Sequence, residues 1–197
     1  MQYKGVNHLA LATGNLEETI AFWRDLLGMR MVVSMGHEGR RQYFFQAGEA
    51  MVAFFEWDGV EPGPEKDHGA PVKGPFTFDH ISFEMQDDDS IWELKDKLDA
   101  ADVWVSEMID HGFLKSIYTF DNNNIPLEFS CTVAGCDVRE VPQFADRDPL
   151  PIGLEGSEPN ESRWPVVTEP TPMEERWSYE GDGKELFPSD EECGIND

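Results

Sequence analysis

The feature of the sequence that most constrains its fold is a diverged internal repeat. Residues 7–11 (NHLAL) resemble residues 79–83 (DHISF), 72 positions further along the chain. Self-similarity at a fixed offset is the signature of a duplicated structural unit. The chain is therefore expected to contain two modules of the same architecture, each beginning with an apolar strand that carries one histidine.

Each copy of the repeat is followed by the same succession of predicted elements. Apolar residues recur at helical spacing over 16–27 and over 91–101, and Gly28 ends the first of these runs. Strand-like runs come after each helix, at 31–33, 42–45 and 51–57 and again at 103–105, 116–120 and 126–130. The order β-α-β-β-β therefore occurs twice, which predicts an α+β fold of two βαβββ modules.

Composition divides the chain into four segments. The modules occupy 1–60 and 76–136, and a linker dense in Gly and Pro joins them over 61–75. The last segment, 137–197, holds 8 of the 13 prolines and many acidic residues, so it cannot build a core of its own. Four of its aromatic residues are spaced like anchors: Trp164, Trp177, Tyr179 and Phe187. We therefore expect this extended, irregular tail to pack on the body or on a partner subunit.

Length, charge and cysteine content argue against several classes of protein. The chain has no run of 18 or more apolar residues and no recognisable signal peptide, which predicts a cytoplasmic protein without a spanning helix. A net charge of -25 repels phosphate backbones and anionic membranes, so neither nucleic acid nor a membrane is an expected partner. Cys131, Cys136 and Cys193 form no CxxC pair, which argues against a disulfide framework and against structural zinc.

The matched positions of His8 and His80, each in an otherwise apolar strand, predict a metal site. The offset of 72 that relates these histidines also carries Glu56 onto Glu128. A carboxylate buried in such a strand is costly unless a cation compensates it, and this mixed set of ligands suits iron(II), manganese, nickel or zinc. We expect His8, His80 and Glu128 to bind a divalent metal. Glu56 is a candidate fourth ligand.

A second group of titratable residues lies close to Glu128 in the sequence. The residues DNNN have the composition of a turn between two strands, and a hairpin folded about that turn places Tyr118 opposite Glu128. His111 then lies at the far end of the same strand. An imidazole and a phenol beside a metal ligand are the groups expected for proton transfer to a bound substrate. By contrast, His37 and His68 lie in segments rich in Gly and Pro and are interpreted as surface histidines.

These paired modules resemble the vicinal oxygen chelate superfamily, which includes glyoxalase I, extradiol ring-cleaving dioxygenases and antibiotic-resistance binding proteins. The resemblance covers residues 4–131 and leaves the tail outside it. It implies two βαβββ modules whose curved sheets surround a metal site, and it implies a homodimer. Because one fold of this kind hosts several chemistries, the activity has to be argued from the site.

Residues 109–128 are similar to the signature of extradiol dioxygenases. The histidine, the tyrosine, the aspartate of the turn and the metal-ligating glutamate of that signature match His111, Tyr118, Asp121 and Glu128. Asn122 and Asn124 stand where proline and glycine are usual in the signature. Asparagine tolerates a left-handed backbone, so the turn can survive these changes.

The resemblance to extradiol dioxygenases implies an iron enzyme. His8, His80 and Glu128 would ligate iron(II) as a triad of two histidines and one carboxylate. His111 would be the acid/base, and Tyr118 would form a hydrogen bond to an oxygen of the substrate. The substrate would be a small catechol-like molecule or another chelator with vicinal oxygens, and O2 would be the second reactant.

Glu56 supports an alternative within the same superfamily. Enzymes similar to glyoxalase I use four ligands, and the order His8, Glu56, His80, Glu128 reproduces a bacterial-type set. That resemblance implies nickel, cobalt or zinc and a glutamate, such as Glu56, acting as the base in a hemithioacetal isomerisation. A third alternative is another metal-chelate chemistry, or a non-catalytic protein that binds a drug-like small molecule.

Overall fold

The structure, a computed structural model, describes residues 3–71 and 78–186 of the 197-residue chain. The first module contains β1 (His8–Thr13), α1 (Leu16–Ile20), a π-helical segment (Ala21–Leu26), β2 (Met31–His37), β3 (Arg40–Ala47) and β4 (Ala50–Glu56). The second module contains β5 (Ile81–Glu84), α2 (Asp88–Ala100), β6 (Ile109–Asp110), β7 (Leu114–Phe120) and β8 (Pro126–Thr132).

Each module forms one curved, four-stranded sheet that does not close. The strand orders are β1-β4-β3-β2 and β5-β8-β7-β6, so the two sheets have the same topology. In both sheets the first strand runs parallel to the last, and the other neighbours are antiparallel. The predicted α+β fold of two βαβββ modules is confirmed.

Helix α1 begins at a capped residue and then widens. Asn15 Oδ1 accepts a hydrogen bond from the backbone N–H of Glu18 at 3.1 Å, which satisfies one of the free donors at the start of the helix. After Ile20 the chain continues in the wider π-helical form, a rare geometry that occurs in short pieces. The run ends before Gly28, whose φ of 78° is readily adopted only by glycine, as the sequence indicates.

Trp23, in the π-helical segment, joins the cores of the two modules. Its side chain is fully buried, and its ring lies 5.2 Å from that of Phe54 on β4 and 5.9 Å from that of Phe83 on β5. The indole Nε1–H donates to Asp121 Oδ2 at 3.1 Å, which gives this buried donor the partner it needs. The two modules therefore share one hydrophobic core.

The two hairpins that end the modules have turns of different length. Ala47 pairs with Ala50, which leaves two residues in the first turn, whereas Phe120 pairs with Pro126, which leaves the five residues 121–125 in the second. In the longer turn Asp121 Oδ1 accepts from the backbone N–H groups of Asn123 and Ile125 at 2.8 and 2.9 Å. Asn124 has a φ of 58°, so it takes the left-handed conformation expected of it.

One predicted strand is nearly absent. The sequence predicts a strand at 103–105, but only Val105 forms a bridge, to Thr119, and the edge strand β6 is the two-residue Ile109–Asp110. The backbone approaches this edge from Asp102, whose φ is 57°. The prediction of a strand over 103–105 is therefore wrong. Its aromatic residue, Trp104, is 57% exposed and lines a cavity described below, so this residue is apolar for a reason other than strand packing.

The tail forms a separate compact unit from residue 138 onwards. It contains short 3-10 helices at Gly153–Glu155, Glu161–Arg163, Met173–Glu175 and Asp182–Leu186. Three of the four anchor-like aromatic residues are largely exposed (Trp164, Trp177 and Tyr179), and the fourth, Phe187, lies outside the described residues. That the tail packs on the body stays a prediction. No helix in the described part of the chain is long and apolar enough to cross a membrane.

Candidate active site

Glu128 lies at the centre of a polar cluster on the second sheet. It is on β8, where it pairs with Ser82 of β5 on one side and with Tyr118 of β7 on the other. Tyr118 Oη donates to Glu128 Oε1 at 3.0 Å, and His80 Nε2 stands 3.0 Å from Glu128 Oε2. Both carboxylate oxygens of a nearly buried side chain are thus held by groups that the sequence singles out.

His111 extends the cluster along β7. The chain reverses at Gly112, so that the backbone N–H of His111 bonds to Leu114 O at 2.9 Å. The imidazole Nε2 then lies 2.9 Å from Tyr118 Oη. Because the phenol donates its proton to Glu128, Nε2 of His111 is the donor to Tyr118. The arrangement is a continuous chain of hydrogen bonds from His111 through Tyr118 to Glu128.

His80 is oriented by the residue that precedes it. Asp79 Oδ1 lies 2.6 Å from His80 Nδ1, and a carboxylate only accepts, so Nδ1 carries a proton. Asp79 Oδ2 accepts from Lys66 Nζ at 2.7 Å, although Lys66 is itself a buried residue. The ring of His80 is therefore fixed with Nε2 facing Glu128.

His68 is a member of this cluster that the sequence analysis missed. Its ring centre lies 4.5 Å from that of Tyr118 and 5.8 Å from that of His80. His68 Nε2 is 3.1 Å from the carbonyl oxygen of Leu127, so Nε2 is the protonated nitrogen and Nδ1 of the neutral ring is an acceptor. The interpretation of His68 as a surface residue is wrong because the linker folds back over the sheet.

A cavity of about 350 Å³ opens over these side chains. Its lining is formed by Asp67, His68, Gly69, His80, Trp104, Ser106, Ile109, His111 and Tyr118. Trp104 packs against Phe120 with ring centres 5.6 Å apart, so the lining combines a supported aromatic ring with the polar side chains of the cluster. A volume of this size suits a small organic molecule.

The titration behaviour of the cluster follows from its burial and its pairs. Burial, with the hydrogen bond to Glu128, raises the pKa of Tyr118 to about 12, so the phenol stays protonated. Burial and the charge of His80 lower the pKa of His68, so this ring is neutral at pH 7. Burial opposes ionisation of Glu128, but neighbouring hydroxyl donors and His80 outweigh it and hold its pKa below the usual value. Lys66 and His80 hold the pKa of Asp79 well below its usual range.

The predicted ligands on the first module lie elsewhere. His8 is exposed at the start of β1, with Nδ1 bonded to Asn7 Oδ1 at 2.8 Å. Glu56 is paired with Thr13, which lies five positions after His8 on β1. Because successive residues of a strand alternate between faces, Glu56 projects from the face of the sheet opposite to that of His8. Its carboxylate accepts from Arg41 Nη1 at 2.6 Å, an ion pair that already compensates its charge.

The strand registers correct the assumed equivalence of Glu56 and Glu128. Ala10 and Ser82 are 72 residues apart, but their partners in the parallel pairs are Ala53 and Glu128, which are 75 apart. Tyr118 and its counterpart Phe44 are 74 residues apart, so two of the three extra residues precede β7 and one lies in the second hairpin. Ala53, rather than Glu56, is therefore the counterpart of Glu128, and the expectation of a single offset is wrong.

Within residues 3–71 and 78–186 of a single chain, no group of three or more His, Cys, Asp or Glu side chains is arranged to hold a metal ion. The four predicted ligands thus separate into His80 with Glu128, which are in contact, and His8 and Glu56, which take other partners. Of the predicted catalytic residues, the structure brings His111 and Tyr118 to this site.

The sequence and the fold are similar to those of known proteins. A family model described as the Glyoxalase/Bleomycin resistance protein/Dioxygenase superfamily matches residues 5–130. The chain is 27% identical over 126 residues to metallothiol transferase FosB of Staphylococcus epidermidis, an alignment that covers 64% of this chain and 81% of that protein.

Solved structures share the fold at lower identity. A glyoxylase/bleomycin resistance protein/dioxygenase domain from Frankia sp. EAN1pec is 19% identical, with a TM-score of 0.56 over 67% of this chain and 100% of that chain. The fosfomycin resistance protein FosX from Listeria monocytogenes is also 19% identical, with a TM-score of 0.53 over 71% and 99% of the two chains. With the family match covering both modules, this chain belongs to the Glyoxalase/Bleomycin resistance protein/Dioxygenase superfamily.

Proposed function

We propose that this protein is a metal-dependent, extradiol-type dioxygenase that cleaves the ring of a catechol-like substrate. The observation that carries the proposal is the chain of hydrogen bonds from His111 through Tyr118 to Glu128, with His80 on the other carboxylate oxygen. A third imidazole, His68, lines the same cavity as His80 and His111. Proton donors and acceptors are thus gathered around one pair of candidate metal ligands.

The donor set of the second module fits a divalent metal. An imidazole nitrogen and a carboxylate oxygen face each other between His80 and Glu128, and both are common ligands of iron(II). Asp79 bonds to the other nitrogen of His80, as outer carboxylates do for metal-bound histidines. Iron(II) is the metal we propose, with manganese, nickel, cobalt and zinc as alternatives. The metal would act as a Lewis acid that binds the substrate oxygens beside O2.

We propose that His8 of a second copy completes the ligand set. His8 is exposed in one chain, and Ala53, its sheet's counterpart of Glu128, cannot bind a metal. The first module therefore offers a histidine without an acid, and the second offers a histidine with one. A homodimer that apposes the two modules of different copies would assemble two histidines and one carboxylate at each site.

The residues of the cavity have distinct proposed roles. Neutral His68 has a free acceptor, Nδ1, and can take a proton from a catechol hydroxyl. Tyr118 stays protonated and orients a substrate oxygen, while His111 behind it can return a proton to the product. The bond next to the two hydroxylated carbons breaks, and both atoms of O2 enter the product. The reaction therefore consumes no external reductant.

Glu56 has no part in this proposal. Its ion pair with Arg41 and its place on the opposite face from His8 remove the main support for a four-ligand set of the glyoxalase I kind. The counterpart of the Tyr118–Glu128 pair in the first module is Phe44 with Ala53, which is apolar. Among the described residues of the two modules, Glu128 is therefore the acid that we propose for the metal.

Oxygen consumption tests the proposal. The protein is purified anaerobically, loaded with Fe(II), and mixed with oxygen and with catechol, 4-methylcatechol or 2,3-dihydroxybiphenyl. We expect stoichiometric oxygen uptake and the absorbance of a ring-opened product with at least one of them. A protein that holds one iron per site but consumes no oxygen with any of these catechols would overturn the proposal.

A second candidate function rests on the similarity to metallothiol transferase FosB. In that alternative the same metal site would activate an electrophile toward attack by a small thiol. Loss of free thiol from glutathione or cysteine in the presence of fosfomycin, with Mn2+-loaded protein, is the measurement. Thiol loss without oxygen uptake would favour the transferase, and oxygen uptake without thiol loss would favour the dioxygenase.

A further inference from the structure

The linker between the two modules also contributes residues to the cavity. Lys66, Asp67, His68 and Gly69 lie in this segment, and the last three line the cavity. The Gly and Pro content of 61–75 predicts a linker, and such a pattern gives no reason for a buried lysine. Lys66 nevertheless leaves only 7% of its side chain exposed.

A single carboxylate holds this segment at two points. Asp79 Oδ2 accepts from Lys66 Nζ at 2.7 Å, and Asp79 Oδ1 accepts from the backbone N–H of Gly69 at 3.1 Å. Gly69 has a φ of 65°, so the chain turns sharply there to present its N–H to the carboxylate. A third attachment is the hydrogen bond from His68 to Leu127 O on β8.

The same carboxylate orients His80. Asp79 Oδ1, which receives the Gly69 N–H, is also 2.6 Å from His80 Nδ1. Lys66, Asp79 and His80 thus form a line that ends at Glu128, and His68 is carried by the loop that Lys66 and Gly69 attach. We call Lys66 and Asp79 together the latch.

We propose that the latch is a positioning device: it fixes the ring nitrogen with which His80 faces the metal and holds His68 beside it. This inference rests on the proposed metal site but not on the reaction assigned to it. Without Lys66 the Asp79 carboxylate loses its ammonium partner, and the loop loses one of its attachments. Partners that orient a metal-bound histidine are worth about 10- to 100-fold in metal affinity.

The test compares two lysine variants of the full-length protein. Lys66→Met removes the charge and keeps most of the apolar stem, and Lys66→Arg restores a cation. Lys95→Met is the matched control, because the Lys95 side chain is 11% exposed and pairs with Asp99 at 3.0 Å on α2. If Lys66→Met fails to fold by circular dichroism, Asp79→Asn carries the same test.

The readouts do not depend on dioxygenase activity. Titration with Co2+, followed by its visible absorption, should show affinity about tenfold weaker for Lys66→Met, near wild type for Lys66→Arg, and unchanged for Lys95→Met. Nitrogen-15 spectra of the metal-free protein should show an Nδ1–H of His80 held by Asp79 in the wild type, and a changed His80 ring form with a weaker Nδ1–H signal in Lys66→Met. Unchanged Co2+ affinity with an unchanged His80 ring form would overturn the latch, as would equal weakening in Lys95→Met.

Failure of the proposed reaction has a different signature. If the wild type binds Co2+ and Lys66→Met weakens that binding, but no catechol supports oxygen uptake, the latch stands and the dioxygenase proposal falls. If oxygen uptake is found while Lys66→Met matches the wild type in Co2+ affinity and His80 ring form, the dioxygenase stands and the latch falls.

Discussion

Tyr118 and Glu128 face each other across the central strands of the second sheet, with Tyr118 Oη 3.0 Å from Glu128 Oε1. The pair is buried, and the phenol keeps its proton because its pKa is raised to about 12. The phenol therefore acts in the site as a fixed hydrogen-bond donor over the pH range in which proteins work. This single relationship ties a candidate metal ligand to a candidate proton relay.

Replacing Tyr118 by Phe should slow turnover without removing the metal. The change deletes one hydrogen bond to a charged group and cuts the relay from His111, so we expect kcat to fall about 10- to 100-fold. Oxygen uptake measures kcat, and Co2+ titration measures metal affinity, which should change less than threefold, by about half a kcal/mol. Tyr43→Phe, on β3 of the first module, is the control and should keep wild-type kcat. Equal kcat in both variants would contradict the assigned role.

A mixture of two inactive variants should recover activity if copies share sites. We expect His8→Ala and His80→Ala each to be inactive, because each lacks one ligand at both sites. Random mixing yields half mixed dimers, each with one intact site, so about a quarter of wild-type activity should return after co-refolding. A site built within one chain predicts none. Sedimentation velocity of the wild type checks that the protein is a dimer.

The hairpin could be predicted from the sequence because its logic is local. Residues that alternate along a strand share a face, and a turn of Asp and Asn fixes which residues oppose each other, so Tyr118 was correctly placed opposite Glu128. The repeat likewise gave the order of elements in both modules. Neither argument reaches His68, since a loop has no periodicity and its contacts are made with residues distant in sequence.

Replacing Asp121 by Asn should destabilise the shared core of the two modules. Asp121 Oδ1 accepts from two backbone N–H groups, and Oδ2 accepts from Trp23 Nε1. An asparagine side chain has one oxygen and one NH2 group, so its NH2 must face either the backbone N–H groups or the indole N–H and cannot accept from them. We expect the free energy of unfolding to fall by about 2 kcal/mol. Asp25→Asn, which removes an exposed pair with Arg24, should leave the free energy of unfolding nearly unchanged. Urea unfolding followed by tryptophan fluorescence compares the two variants.

The two described cysteines should differ in reactivity. Burial, with the hydrogen bond to Asp88, raises the pKa of the Cys131 thiol to about 11, whereas Cys136 is exposed. Since the thiolate is the reactive form, iodoacetamide at pH 8 should label Cys136 and spare Cys131 in the folded protein. Peptide mass spectrometry separates these sites from Cys193, and urea should make Cys131 reactive. Labelling of Cys131 before unfolding would contradict the expected burial.

Asp88 should contribute to the acid sensitivity of the fold. Hydrogen bonds from Cys131 and Lys115 hold the pKa of its carboxyl below the usual value. A lowered pKa in the folded state gives stability that is present above the unfolded pKa, near 3.9, and is lost as pH falls through the folded pKa. Asp88→Asn should thus lower the melting temperature at pH 7 but not at pH 2. The control is Asp89→Asn at the exposed neighbouring residue. The difference between its melting temperature and that of the wild type should be the same at pH 7 and at pH 2.

Glu56 shows why two matched positions in a sequence can mislead. Counting residues assumes that nothing has been inserted between the compared elements, and the three residues added between β5 and β8 break that assumption. The carboxylate did look buried, and it is partly so, but Arg41 directly opposite on β3 supplies its counter-charge. A search for cross-strand partners of each buried acid would have found this pair before any metal was invoked.

The conserved pairing of the strands has a consequence for how the halves of such a molecule diverge. The three extra residues of the second module lie in its connecting segments, and Ala53 and Glu128 still occupy the same place in the two sheets. Loops can therefore change in length while the chemistry of a strand position changes only by substitution. Two halves with one backbone plan can in this way take unequal shares of one catalytic centre, because the same place in the sheet holds a methyl group in one half and a carboxylate in the other.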